Sequence, residues 1–187
     1  MYKSAGDETN FYSQRDTAML DVFYGLGLRA NEGKELNISD ILFEKDLVYV
    51  RKGKNYRERY VPISAQVKSD LMTYIKNQRY ELIRGNKIEA LFVGRYGRRW
   101  TKHGMYGRLQ KLKNLTNDGE LKKKTFGVHI LRHSIATHLL QEGMKLEHIS
   151  RFLGHKSLET TQKYTHIAYF AHRSLGEDGF NIKQDDL

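Results

Sequence analysis

Three short segments of alternating apolar and polar residues interrupt a chain whose other apolar residues recur mostly at helical spacing, and this change of period constrains the fold most. The segments are 41–43, 47–50 and 59–63, and the turns "EKD" and "KGKNYR" separate them. Such alternation is typical of strands that bury one face, and short polar turns join neighbouring antiparallel strands. The pattern predicts a small three-stranded antiparallel sheet, with Pro62 at the end of its last strand.

Helical spacing precedes and follows this sheet. "RDTAMLDVFYGLGLR" predicts a core helix that ends at Gly25 and Gly27, followed by a turn that presents Arg29. Residues 64–83 predict one long helix, "TKHGMYGRLQKLKNL" a basic helix, and "NDGELKKK" a polar loop. The apolar stripe of the first helix consists of Ala18, Met19, Val22, Phe23 and Leu26.

The last part of the chain also predicts helices. "TFGVHILRHSIATHLLQEG" predicts a helix that Thr125 caps and that ends at Gly143. "KLEHISRFLGHKSLETTQKYTHI" predicts two short helices separated by Gly154 and His155. We therefore expect the α+β class, mainly α: one helical domain with a small three-stranded antiparallel sheet.

Charge and cysteine content limit the partners and the chemistry. The 32 Lys and Arg residues exceed the 22 Asp and Glu residues and give a formal charge of +10, which favours a polyanion such as nucleic acid or an anionic membrane surface. No apolar run approaches the roughly 18 residues of a membrane span, and the polar start lacks a secretion signal. We expect a soluble, cytoplasmic, nucleoid-associated protein. The absence of cysteine excludes disulfides, thiolate metal sites and a cysteine nucleophile.

The segment "VHILRHSIATHLL" places four basic or titratable side chains on one predicted helix. His129 and His133 have the spacing of a zinc helix, but no glutamate follows His129, no third ligand is evident, and Arg132 adds positive charge beside the metal. A structural role is the favoured interpretation for His133 and His138. The pair His129 and Arg132 is better suited to an anion, because both side chains donate hydrogen bonds from one face.

Several other segments contain side chains that could bind the same anion together with His129 and Arg132. Arg29 follows a glycine-rich turn, and Glu32 lies one helical turn further on, where it can orient the guanidinium. Lys52 lies in a strand turn, His155 follows a glycine, and Tyr164 falls in a short helix. Arginines bind phosphate oxygens, a tyrosine attacks phosphorus, and a lysine protonates a leaving oxygen.

The motifs "GLRANE", "RKGK", "HILRH", "LGHKS" and "TTQKYTHI", in this order, resemble the catalytic domain of the tyrosine recombinases, also called phage integrases. The resemblance covers residues 14–168. It implies a site-specific DNA recombinase whose tyrosine attacks a DNA phosphodiester, forms a 3′-phosphotyrosine link and frees a 5′-hydroxyl, with no metal, cofactor or ATP. The residues that it implies are Arg29 and Arg132 as phosphate clamp, Lys52 as general acid, His129 for proton transfer, His155 as phosphate donor and Tyr164 as nucleophile.

Two departures from the family pattern bear on these residues. The loop "RKGKNYRER" is one residue longer than the usual form, so Lys54 is an alternative to Lys52. Ala30 is smaller than the aliphatic residue expected after the first arginine, which alters packing rather than chemistry. Tyr169 is a rival nucleophile, but Tyr164 follows the "LGH" turn by nine residues within a short helix.

The resemblance also implies partners. We expect double-stranded DNA with paired recombination sites, a tetramer on two duplexes during synapsis and a monomer free in solution, with integration or excision of a mobile element as the role. Chromosome resolution is not distinguished from it. Basic residues predicted to contact the duplex are Lys54, Arg98, Arg99, Lys102, Lys111 and Lys113.

The two end segments of the chain are expected to lie outside the catalytic domain. Residues 1–13 resemble the remnant of a linker to an N-terminal domain that this sequence lacks, as in an excised catalytic domain or a minimal relative. Residues 169–187 are expected either to dock on a neighbouring protomer or to be a disordered end. The rival functions are a non-catalytic helix-turn-helix DNA binder built on "LEHISRFLGHKSLETTQKY", and a type IB topoisomerase.

Overall fold

The computed structural model describes residues 1–7, 11–51, 58–123, 126–155 and 157–162. Helices dominate this part of the chain, with one small sheet between α3 and α4. The helices are α1 (Tyr2–Ala5), α2 (Ser13–Leu20), a π-helical turn (Asp21–Gly25), α3 (Ala30–Glu35), α4 (Ala65–Lys76), α5 (Gln78–Ile83), α6 (Lys102–Asn114), α7 (Gly119–Lys123), α8 (Val128–Gln141) and α9 (Leu146–Leu153). The strands are β1 (Ile41–Leu42), β2 (Leu47–Val50) and β3 (Arg59–Pro62).

The sheet is antiparallel in the order β1-β2-β3, as the alternating pattern predicts. Val48 pairs with Val61 and Tyr49 with Tyr60, so the two valines share one face and the two tyrosines the other. The valine face is buried, whereas Tyr60 is exposed. The sheet therefore covers the core with one face.

The predicted stripe of the first helix forms part of the main core. All five residues of the stripe are buried, although the helix changes from α to π winding at Asp21. Gly27 then adopts a left-handed conformation, with φ 58°. A Cβ at Gly27 would lie 2.8 Å from the Leu153 side chain, so glycine allows this turn to approach α9.

Two predicted elements differ from the structure. The single helix over residues 64–83 breaks at Asn77, because the backbone N–H of Gln78 bonds the Gln14 side chain and the Gln78 side chain accepts from the backbone of Arg15. The predicted polar loop contains helix α7. Its first turn is capped by Asp118, whose Oδ1 accepts from the Leu121 N–H at 2.9 Å.

A smaller apolar cluster joins α8 to α9 through Ala136, Ile149 and Leu153. Helix α8 begins at Val128 after Gly127, which supplies no side-chain cap, and Thr125, the predicted cap, lies outside the described residues. Ile130, an apolar residue of this helix, is exposed. The cluster fixes the C-terminal end of α9 against α8, and the candidate site lies at this end.

Residues 1–7 pack against the domain. Ala5 is fully buried in the main core, and the Tyr2 hydroxyl donates to Asp21 Oδ1 at 2.9 Å. Their predicted role as a linker stays a prediction.

Candidate active site

The C-terminal end of α9 is the centre of the candidate site. Gly154, with φ 65°, ends the helix and turns the chain toward His155, whose N–H bonds the Ser150 carbonyl at 3.0 Å. Carbonyl groups in the last turn of a helix lack intrahelical partners and carry partial negative charge. Here arginines from three other elements donate to them, so the end of α9 gathers positive charge.

Arg29 and Arg132 meet at one of these carbonyls. Arg132 Nη2 donates to the Leu153 oxygen at 2.6 Å, and Arg29 Nη1 donates to the same oxygen at 3.3 Å. Arg132 also donates to the Gly27 oxygen at 2.6 Å, which ties α8 to the turn before Arg29. The structure thus brings together the two predicted clamp residues, which are 103 positions apart in the sequence.

Glu32 is the carboxylate that pairs with the arginines of this cluster. Its buried carboxylate accepts from the backbone N–H of Arg29 at 2.8 Å and from Arg29 Nη1 at 3.0 Å, as expected for a residue that orients this guanidinium. Arg132 Nη1 lies 4.0 Å from it. Burial by itself raises the pKa of Glu32, but the hydrogen bonds and charges of Arg59 and Arg29 outweigh burial and hold the pKa below its ordinary value.

Arg59, on β3, is a third member of the cluster that the sequence analysis missed as a site residue. Its two terminal nitrogens donate to the two Glu32 oxygens at 2.9 and 3.0 Å, and Nε donates to the Phe152 oxygen at 2.9 Å. The side chain is 8% exposed, compared with 26% for Arg29. Arg59 therefore orders the cluster from within, while Arg29 is the arginine most accessible to a ligand.

His155 adjoins this cluster and is half-buried. Burial, followed by the positive charges of Arg132, Arg29 and Arg59, lowers its pKa to about 4, so the imidazole is neutral at neutral pH. Its Nδ1 lies 2.8 Å from the hydroxyl of Thr161. The structure thus places His155 beside both predicted arginines.

The three histidines of α8 differ in their surroundings. His129 and His133 are exposed at the surface of α8, whereas Arg132 is buried between them. His138 Nδ1 lies 2.6 Å from the Tyr24 hydroxyl, which favours the structural interpretation of this histidine. Across the described residues, no group of three or more histidine, aspartate or glutamate side chains is arranged to hold a metal ion.

Several predicted site residues lie outside the described residues. They are Lys52 and Lys54 in the β2–β3 turn, Tyr164, and the rival Tyr169. Their roles stay predictions. The β2–β3 turn begins next to Arg51 and ends next to Glu58, two residues that flank the sheet edge near Arg59.

The predicted duplex contacts that the structure describes, which exclude Lys54, fall into two groups. Arg98, Lys102 and Lys111 are exposed. Arg99 donates to the Lys34 oxygen at 2.8 Å and to Asn37 Oδ1 at 2.5 Å, and Lys113 is buried. The hydrogen bonds of Arg99 and the burial of Lys113 favour a structural role for each, and their predicted contact with DNA stays a prediction. In the part of the chain that the structure describes, no helix has the length and apolar character to span a membrane.

Comparison with known sequences identifies relatives. The model of the phage integrase family matches residues 5–170. The chain is 42% identical over 156 residues to tyrosine recombinase XerD of Oceanobacillus iheyensis, covering 83% of this chain and 51% of that protein. It is 41% identical over 158 residues to tyrosine recombinase XerC of Roseiflexus sp., covering 82% and 48%. The chain thus spans about half the length of these curated relatives.

Comparison with solved structures also identifies recombinases as similar proteins. The crystal structure of XerA recombinase matches with a TM-score of 0.75 and 26% identity, covering 96% of this chain and 62% of that chain. XerH site-specific recombinase, bound to palindromic difH substrate in a post-cleavage complex, matches with a TM-score of 0.75 and 27% identity, covering 93% and 49%. These matches confirm the predicted fold class.

Proposed function

The chain belongs to the phage integrase family, as its motifs indicate, and on this premise we propose that it is the strand-cleaving part of a tyrosine site-specific recombinase. Its arginine cluster binds a DNA phosphodiester, and Tyr164 attacks the phosphorus. The observation that carries the proposal is the meeting of Arg29 and Arg132 at the Leu153 carbonyl, two residues before His155.

The charge of the cluster supports an anionic ligand. Three guanidinium groups surround the single carboxylate of Glu32, which leaves an excess of two positive charges at the end of α9. Guanidinium groups match the non-bridging oxygens of a phosphate and stabilise the additional negative charge of a pentavalent transition state. The ligand displaces the contacts to the Leu153 and Gly154 carbonyls, which are the long hydrogen bonds of Arg29, at 3.3 and 3.4 Å.

The proposed reaction is a reversible transesterification. The Tyr164 hydroxyl gives its proton to His129, and its oxygen forms a bond to phosphorus as the bond from phosphorus to the 5′-oxygen breaks, which leaves a 3′-phosphotyrosine. Lys52, or Lys54 in the longer loop, gives a proton to the departing 5′-oxygen, because an alkoxide is a poor leaving group. A 5′-hydroxyl from a partner strand then attacks the phosphotyrosine and releases the tyrosine.

Activation of the tyrosine is the main energetic demand on the site. A phenol with a pKa near 10 costs about 4 kcal/mol to ionise at neutral pH. Neighbouring guanidinium groups favour the phenolate and lower this cost. The phosphotyrosine retains the energy of the ester, so rejoining requires no ATP.

The partner that we propose is a pair of DNA duplexes held by four protomers. The excess of basic residues and the exposed Arg98, Lys102 and Lys111 support non-specific contact with duplex backbones. The DNA substrate in the XerH structure supports the same class of ligand. A DNA-bound role of this kind accords with the expected cytoplasmic, nucleoid-associated location.

Two biological roles use this chemistry. Integration or excision of a mobile element is the role expected from the sequence, and the likeness to the Tn1549 transposon integrase, at 21% identity, extends to the fold alone. The relatives at 41–42% identity carry Xer names. Mapping where the protein cleaves in cells distinguishes the two: sites at the ends of a mobile element support the first, and one fixed chromosomal site supports a Xer-like role.

Covalent capture tests the proposed chemistry. A duplex selected from a randomised pool for binding to the chain is nicked beside the cleaved phosphate, so that the 5′-hydroxyl fragment is lost and the adduct accumulates. We expect a covalent protein–DNA band on a denaturing gel with the natural chain and its loss in Tyr164→Phe and Arg132→Ala, with DNA binding kept in Tyr164→Phe. Tyr169→Phe is the matched control and keeps the band.

The other outcomes identify the rivals. Binding of the selected duplex without any covalent band contradicts the proposal and supports the non-catalytic DNA binder. A covalent band together with relaxation of supercoiled plasmids, without strand exchange between two sites, supports the type IB topoisomerase.

A further inference from the structure

Thr161 contacts the imidazole of His155 from a buried position. The threonine is fully buried, residues 159–162 are helical, and its Oγ1 lies 2.8 Å from His155 Nδ1. The preceding Thr160 differs, because it is exposed and its hydroxyl pairs with Ser157 at 3.3 Å. The two adjacent threonines therefore differ in burial and in the partner of the hydroxyl group.

Burial and the neighbouring arginines determine the protonation state of His155. Burial disfavours the imidazolium form most, the charges of Arg132, Arg29 and Arg59 add to this effect, and the ring is therefore neutral at neutral pH. A neutral imidazole carries one proton, on either Nδ1 or Nε2, and the hydrogen bond at one nitrogen selects the position. The tautomer of His155 thus depends on what Thr161 donates or accepts.

The hydroxyl of Thr161 favours one of the two tautomers. Within the described residues, His155 Nδ1 is the side-chain partner of this hydroxyl. If Nδ1 carried the proton, Thr161 would accept the hydrogen bond, and its own buried O–H would have no acceptor among those residues. Leaving a buried donor unsatisfied is unfavourable. If Nδ1 is unprotonated, the Thr161 O–H donates to it and both groups are satisfied.

We propose that Thr161 is a positioning residue that donates to His155 Nδ1 and thereby keeps the imidazole proton on Nε2, where it donates to a non-bridging oxygen of the DNA phosphate. The second half rests on the proposed function, because it requires a phosphate in the arginine cluster. The opposite tautomer would present a lone pair to the negative oxygen. Thr161 thus makes a neutral histidine an effective hydrogen-bond donor among three arginines.

Nitrogen NMR of the full chain, with labelled histidine, tests the tautomer directly. The His155 signals are assigned by their loss in His155→Gln. We expect the natural chain and Thr161→Ser to show an unprotonated Nδ1 and a protonated Nε2, and Thr161→Val to move toward the tautomer mixture of free histidine. Thr160→Val, the matched control, leaves the signals unchanged.

Cleavage of the nicked duplex provides the second readout. Thr161→Val is expected to slow cleavage by about five- to thirtyfold, the loss of one buried hydrogen bond, with recovery in Thr161→Ser and no change in Thr160→Val. A protonated Nδ1 in the natural chain overturns the proposal without any variant, as does an unchanged His155 tautomer in folded Thr161→Val. If neither the natural chain nor any variant cleaves DNA, the proposed function is wrong, whereas the NMR result still decides which nitrogen of His155 carries the proton.

Discussion

Arg59 and Glu32 form a two-bond ion pair between β3 and α3, at 2.9 and 3.0 Å, in which the carboxylate is fully buried and the arginine nearly so. The same arginine donates to the end of α9 through Nε. The Arg59 side chain therefore connects the sheet, helix α3 and the turn before His155. The pair therefore links the three segments that carry Arg59, Arg29 and His155.

Removal of Arg59 is expected to destabilise the protein strongly. Arg59→Leu leaves the Glu32 carboxylate buried without its principal partner, which costs about 3–5 kcal/mol. The measurement is the free energy of unfolding in urea. Lys68→Ala, which breaks the exposed pair between Lys68 and Asp46, is the matched control and changes stability by less than about 1 kcal/mol. Similar small effects of both substitutions would contradict the role of the pair.

Gly154 is expected to be less replaceable than Gly143. Both glycines follow helices and have positive φ, 65° and 81°, so alanine is strained at each by about 1–2 kcal/mol. A Cβ at Gly154 would also lie 2.8 Å from Arg59 Nη1, whereas Gly143 has open space. We expect Gly154→Ala to lose more stability in urea unfolding and to slow DNA cleavage, and Gly143→Ala to leave cleavage unchanged. Equal losses would show that Arg59 does not restrict this turn.

Asp21 is expected to make stability depend on pH. Burial, with a contribution from the nearby Asp70, raises the pKa of Asp21 to about 7, although the Tyr2 hydrogen bond opposes the rise. Because the folded state binds this proton more tightly than the unfolded state does, its stability falls as the pH rises from about 4 to above 7. We expect Asp21→Asn to raise the free energy of unfolding by about 1–3 kcal/mol at pH 8 and by much less at about pH 4.

The control for this effect is Asp46→Asn, a change at an exposed carboxylate paired with Lys68. It should alter stability by less than about 1 kcal/mol at both pH values. If Asp21→Asn and the natural chain were equally stable at pH 8, the ionised Asp21 carboxylate would not destabilise the folded protein, and the prediction would be wrong.

DNA binding is expected to distinguish two lysines of α6. Lys111 is exposed, and Lys113 is buried on the same helix. If Lys111 contacts a phosphate, Lys111→Gln lowers the slope of log affinity against log salt by about 1, because one fewer counterion is released. Lys113→Gln should leave that slope unchanged, although it can lower stability. Fluorescence anisotropy with a duplex over a range of salt concentrations measures both, and equal slopes for the two variants would refute the assignment.

Local pattern was sufficient for much of the fold and for part of the site. Alternation placed the three strands, and helical spacing identified the buried stripe that includes Met19 and Phe23. Arg29 and Arg132 were identifiable because each belongs to a compact motif, and the structure places both at the end of α9. Asn77 was not identifiable as a helix break, since that break depends on hydrogen bonds from α2, more than 60 positions away.

The supporting residues of the site depend on contacts that no local pattern expresses. Arg59 reads as an ordinary polar residue of a strand, and its partner Glu32 is 27 positions away. Thr161 is one of two adjacent threonines, and its burial and its contact with His155, which only the folded structure shows, distinguish it from Thr160. The available signal for α7 was Asp118, a cap residue directly before the predicted loop's glycine, together with the apolar Leu121.

The central claim is that Arg29 and Arg132 neutralise the negative charge of the phosphate that Tyr164 attacks. Cleavage of a duplex whose scissile phosphate is replaced by a methylphosphonate, which lacks that charge, tests it most directly. We expect Arg132→Ala to cleave the natural phosphodiester at least about a hundredfold more slowly than the unaltered chain and to recover most of that loss on the methylphosphonate, whereas Tyr164→Phe cleaves neither. An equal loss for Arg132→Ala on both substrates would contradict the claim.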